Sequence, residues 1–172
     1  PEANTPPFAF NPAYRGTADL PLAQKAAIMR EPEFKRTLLS QGAAPSGNQL
    51  EVHRAKFHER FHSIFLMDDE PDYEPSPEQS LLAIAQRTGK DPVEIMYDHL
   101  LTDDGKGLLY QPIINYMSGD LRVCREQLAS SATVPGIGDG GAHVGIICDA
   151  SNTTYMLTHW GRDRREGRFD PG

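Results

Sequence analysis

The chain has 172 residues, a net charge of −7, and 38% hydrophobic against 24% charged residues. That is the composition of a soluble globular protein rather than a disordered one. It suffices for one domain with a core, but falls short of a whole eight-stranded α/β barrel, which takes about 250 residues. Scattered acidic residues argue against nucleic acid, which rewards a basic patch. No apolar run approaches the roughly 20 residues of a bilayer span, and no signal-peptide pattern is visible. Cys124 and Cys148 form neither a C-x-x-C pair nor a disulfide framework, so a cytoplasmic location is expected. Pro1 at the start and Asp170-Pro171-Gly172 at the end suit an excised or processed segment.

Residues 1–20 are proline-rich, with Phe8, Phe10 and Tyr14 as anchors. Leu22, Ala26, Ile28 and Met29 suggest a short helix, interrupted at Glu31-Pro32 because proline disfavours helix in the residue before it. A second helix is expected from Pro32 to about Gln41. Phe34, Leu38 and Leu39 share its inner face and Gly42 stands at the C-terminal cap. Residues 51–67 fit either helix, from Phe57, Phe61, Ile64 and Phe65, or a buried strand from His62 to Met67. The acidic stretch Asp68 to Pro77 reads as a loop.

Ser76-Pro77-Glu78-Gln79 and Asp91-Pro92-Val93-Glu94 both carry helix-start grammar, a cap residue followed by proline at the first helical position. The helices they open are expected to bury Leu81, Leu82 and Ala85, and Val93, Met96, Tyr97, Leu100 and Leu101. A buried strand is expected from Leu108 to Ile114, at some cost from Pro112. A helix over Asp120 to Ala129, a short strand from Thr133 to Ile137, a glycine-rich turn and a helix from about Asn152 to Arg165 complete the chain. Strand, helix, strand, turn, helix is the grammar of an α/β unit with parallel strands. The basic stretch Arg162, Arg164, Arg165 and Arg168 reads as the solvated end of a helix.

The turn Gly138-Asp139-Gly140-Gly141-Ala142-His143 follows the strand expected at Thr133 to Ile137. In parallel α/β architectures, residues just past the strand ends line the active site, and glycines admit a close ligand. An aspartate there can bind a hard cation or act as a base toward a metal-bound water. An Asx-turn aspartate beside a surface histidine accounts for the same residues equally well.

The run Gly138 to Gly145, with Cys148-Asp149-Ala150-Ser151 and Thr154 to Arg164, resembles the last-strand signature of D-aminoacylase-like amidohydrolases. Phe10 to Arg15, Asp72-Tyr73-Glu74-Pro75 and Leu109 to Tyr116 resemble upstream stretches of the same family, so the resemblance spans almost the whole chain in order. It implies an α/β fold: a partial (β/α) barrel segment, mostly helical with two or three short parallel strands. A helical insertion would cover about 15–105, and the last strand–helix units 106–165. It implies a hydrolase acting on carbon–nitrogen bonds other than peptide bonds, cleaving N-acyl-D-amino acids through zinc or a similar divalent metal. Asp139 would be both metal ligand and catalytic residue. Asn115 and Tyr116 would face the substrate cleft, with His143 on its rim. Cys148, Asp149 and the Thr154 to Trp160 helix would serve packing.

The family's first-strand His-x-His pair is absent, and a catalytic zinc takes about three protein ligands. Activity is therefore expected of a longer parent rather than of this segment alone. Two alternatives stand beside this. His58-Glu59-Arg60-Phe61-His62 matches H-E-x-x-H, which on a helix places two histidines one turn apart for zinc with the glutamate as base. A non-catalytic barrel remnant would instead pair through an open strand edge, as a homo-oligomer or with the remaining barrel segment.

Overall fold

The computed structural model describes residues 6–45, 47–57, 59–112, 115–116, 118–136 and 151–170. The chain divides into two compact units, Pro7–Gly119 and a second beginning at Asp120. The described elements are mostly helical, with one small two-stranded sheet.

The first unit opens with α1 (Pro12–Arg15), α2 (Leu22–Arg30) and α3 (Pro32–Gln41). Asn11, 3% exposed, organises all of this region. Its Oδ1 accepts from the amides of Ala13 (3.0 Å) and Tyr14 (3.4 Å), capping α1. Its Nδ2 donates to the carbonyls of Leu38 (2.8 Å) and Gly42 (2.9 Å), satisfying carbonyls at the far end of α3. Proline opens α3 and Gly42 follows it at φ 63°, as the sequence predicts. Leu38 is the innermost residue of that helix, 1% exposed.

The ambiguous stretch forms a shortened version of the strand alternative, and no helix runs through Phe61, Ile64 and Phe65. Helix α4 covers Gln49–Phe57, and after a turn of 3-10 helix at Phe61–Ser63 comes strand β1 (Phe65–Met67). The capping box at Ser76 forms, but on a separate 3-10 turn, Pro77–Gln79. Ser80 is the true cap of α5 (Leu81–Thr88), accepting from the Ala83 amide at 3.2 Å. Gly89, at φ 70°, ends that helix. Asp91 caps α6 (Pro92–Leu100) through the amides of Val93 and Glu94. A tight turn, α7 (Thr102–Gly105), leads to β2 (Leu108–Tyr110).

Strands β1 and β2 pair antiparallel, Phe65 with Tyr110, Leu66 with Leu109 and Met67 with Leu108. This corrects the expectation of parallel strands for the described pair. It also shortens the strand expected from Leu108 to Ile114. Pro112 has no N–H to extend a ladder, and residues 113–114 lie outside the described set. Alternation along the ribbon sends Leu66 and Leu109 toward the helices and Phe65 and Tyr110 to the opposite face.

The core of this unit gathers Phe8, Tyr14, Met29, Leu38, Ile64, Leu81, Met96 and Tyr97. Tyr97 has no exposed surface. Its phenol donates to the Met29 carbonyl, and its ring meets Phe8 at 5.6 Å. The ammonium of Lys35 lies 5.8 Å above the same ring and bridges Glu94 (2.9 Å) and Asp98 (2.7 Å). Burial works against the Lys35 charge, but hydrogen bonds and attraction from Asp98 and Glu94 outweigh it and raise its pKa.

In the second unit, α8 (Arg122–Ala129) is two residues shorter at its start than the predicted Asp120 to Ala129. Asp120 instead accepts from the Arg122 amide at 3.1 Å and pairs with its guanidinium at 2.7 Å. The strand expected from Thr133 to Ile137 does not form over 133–136. Thr133 turns back onto the end of α8, its hydroxyl on the Gln127 carbonyl, and Val134 is 87% exposed. Helix α9 (Asn152–Tyr155) runs into a π-helix, Met156–Asp163. Trp160, 3% exposed, anchors it. The Phe169 amide returns to the Trp160 carbonyl at 2.8 Å, and the two rings lie 5.8 Å apart. The basic stretch is not merely solvated. Arg164 stacks 4.8 Å over Trp160, and Arg125 lies 5.3 Å over Phe169 while donating to the Gly167 carbonyl at 2.8 Å.

Two substitutions test this architecture. Asn11→Ala removes a cap and leaves buried carbonyls unpaired, and should cost about 2 kcal/mol, read as a lower urea midpoint with an unchanged slope. Gly107 tolerates no side chain, since a Cβ would lie 2.0 Å from the His99 carbonyl oxygen. Gly107→Ala should cost about 1–3 kcal/mol, and an unaltered midpoint would contradict the close approach.

Candidate functional site

The sheet's outer face carries the residues that the sequence connects with substrate. Tyr110 projects from β2 beside its pairing partner Phe65, ring centroids 6.4 Å apart. The loop after β1 folds so that Tyr73 meets Tyr110 edge-on at 6.0 Å and 88°. Its phenolic oxygen lies 3.4 Å from the Tyr73 carbonyl. An Asx turn shapes this loop, with the Asp72 carboxylate accepting from the Glu74 amide at 2.9 Å.

Downstream of β2, Tyr116 packs edge-on against Phe65 at 6.5 Å and 90°. It donates its hydroxyl to the Pro75 carbonyl at 2.8 Å. Asn115, immediately before it, is exposed and holds φ at 67°. Asparagine is one of the few side chains at ease in that left-handed region. The result is an aromatic layer of Phe65, Tyr73, Tyr110 and Tyr116, with three of the chain's six tyrosines, edged by Asp72 and Glu74. Aromatic faces and phenol edges suit a partner with an apolar body and a polar group.

Electrostatics limit what these phenols do. Burial, reinforced by the neighbouring Tyr73, Glu74 and Asp72, pushes the Tyr110 pKa to about 12. Burial pushes Tyr97 to about 12 as well, the approach of Lys35 partly opposing it and Asp98 adding to it. At neutral pH Tyr110 is therefore a neutral hydrogen-bonding group and not a phenolate base.

Of the four residues predicted for the site, Tyr116 stands at this layer, and Asn115 is exposed immediately before it. Asp139 and His143 lie outside the described residues, as do Cys148 and Asp149. The helix expected to carry Thr154 to Trp160 forms. Within it His159 is buried and stacks on Tyr155 at 4.8 Å and 6°, the packing role anticipated for it. The partners of Tyr116, namely Phe65 and Pro75, had no assigned role in the sequence. Tyr73 and Tyr110 belong to stretches noted there, and their recurrence near proline-rich turns was the available signal.

The H-E-x-x-H motif lacks the helix its chemistry requires. Helix α4 stops at Phe57, His58 lies outside the described residues, and His62 sits in the 3-10 turn Phe61–Ser63 beyond a break at Arg60. Residues 59 and 60 are not helical, so no continuous helix of described residues carries the motif. Among the described residues, no group of three or more His, Cys, Asp or Glu is placed to hold a metal ion. Nor is any described helix long and apolar enough to cross a membrane.

Comparison with protein-family models, with curated proteins and with solved structures gave no match.

Alkaline titration checks the phenols. A group whose pKa is raised in the fold contributes stability that is fully present below its unfolded pKa and lost as pH climbs to the folded value. For Tyr97 and Tyr110 that window runs from 10.0 to about 12. Phenolate absorbance should show a late-titrating class near the top of this window, and unfolding stability should fall through it. Tyr110→Phe should remove one late phenol. A single titration of all tyrosines with its midpoint at about pH 10 would contradict the burial.

Proposed function

We propose that this chain is a segment of a metal-dependent amidohydrolase that hydrolyses linear amides of the N-acyl-D-amino acid type. The observation carrying the proposal is the ordered resemblance from Phe10 to Arg164. Support comes from the meeting of two of its stretches, Asp72 to Pro75 and Leu109 to Tyr116, where Tyr73 packs on Tyr110 and Tyr116 bonds the Pro75 carbonyl.

In this assignment Asn115 and Tyr116 face the substrate, and His143 keeps the substrate-binding role that the resemblance implies. Asp139 takes the proton of the attacking water and passes it to the departing nitrogen, so that the carbon–nitrogen bond breaks to a carboxylate and a free amine. Asp139 is also the one metal ligand assigned to this chain. A catalytic zinc takes about three protein ligands, so turnover is assigned to the parent enzyme. A (β/α) barrel in the parent enzyme, a divalent metal such as zinc, and a cytoplasmic setting are parts of the same proposal.

The test uses the 172-residue chain supplied with zinc. We expect N-acyl-D-amino acids to bind, by calorimetry, at least tenfold more tightly than their L enantiomers. Any hydrolysis should depend on metal and fall at least a hundredfold in Asp139→Asn. Tyr116→Phe, which deletes the bond to the Pro75 carbonyl, should weaken binding severalfold. Equal binding of the two enantiomers, or hydrolysis that survives Asp139→Asn, would overturn the proposal.

A further inference from the structure

We draw no further inference here: the strongest candidate, the shallow apolar depression of about 300 Å³ between β1, α5 and α6, lined by Leu66, Ile84, Ile95 and His99, is an unpartnered apolar face and nothing in the structure shows what covers it.

Discussion

The first unit depends on a single aromatic side chain. Tyr97 joins α6 to the end of α2 through its phenol and the Met29 carbonyl. It joins α6 to the N-terminal segment through Phe8, and lies under the Lys35 ammonium that ties α3 to α6. A fully buried phenol must find an acceptor or forfeit about 1–3 kcal/mol. The hydroxyl therefore fixes where α2 ends relative to α6, beyond what hydrophobic contact alone specifies. The ion triad above it is half exposed, and exposed pairs are worth at most about 1 kcal/mol each. Its contribution is chiefly orientation of α3.

That helical platform gives the two-stranded ribbon something to lie on. An isolated hairpin is marginal in water, and here the paired strands are only three residues each. Leu66 and Leu109 bury one face of the ribbon against the helices. The amide of Leu81, at the start of α5, donates to the Ile64 carbonyl at 2.8 Å just before β1. The His99 ring nitrogen sits 2.8 Å from the Leu108 carbonyl. With its inner face held, the outer face of the ribbon can position Phe65 and Tyr110 for the tyrosines that close over them. The aromatic layer is thus a consequence of strand alternation supported by helix packing.

Strain concentrates at the entry to β2. Asp103 and Asp104 both hold positive φ, 43° and 54°, and Gly105 follows at 86°. Three successive left-handed residues are costly for non-glycine side chains. The turn is maintained because Gly107 passes against the His99 carbonyl, an approach open only to glycine. The amides of Lys106 and Gly107 also return to the Thr102 carbonyl at 3.1 and 3.2 Å. The turn redirects the chain from α6 into β2, and β2 pairs with the earlier β1.

Local chemistry determined the helices. Proline and aspartate at Asp91-Pro92, proline at Pro32 with Gly42 after Gln41, and Gly89 after Thr88 act within three or four residues of themselves, so their meaning is legible without knowing the fold. The same locality explains the misplaced start of α5. Ser76 and Ser80 are both competent caps, and the choice fell to Ser80 where Phe65 bridges it to the sheet. Strand partners, strand direction and the assembly of Tyr73, Tyr110 and Tyr116 were decided only by the tertiary structure. Pairing joins residues far apart in sequence, and an alternating or apolar run specifies a buried face without naming its neighbour. The family resemblance alone implied a substrate-facing role for Asn115 and Tyr116, whereas packing supplied the partners, Phe65 and the Pro75 carbonyl, that hold Tyr116 in place.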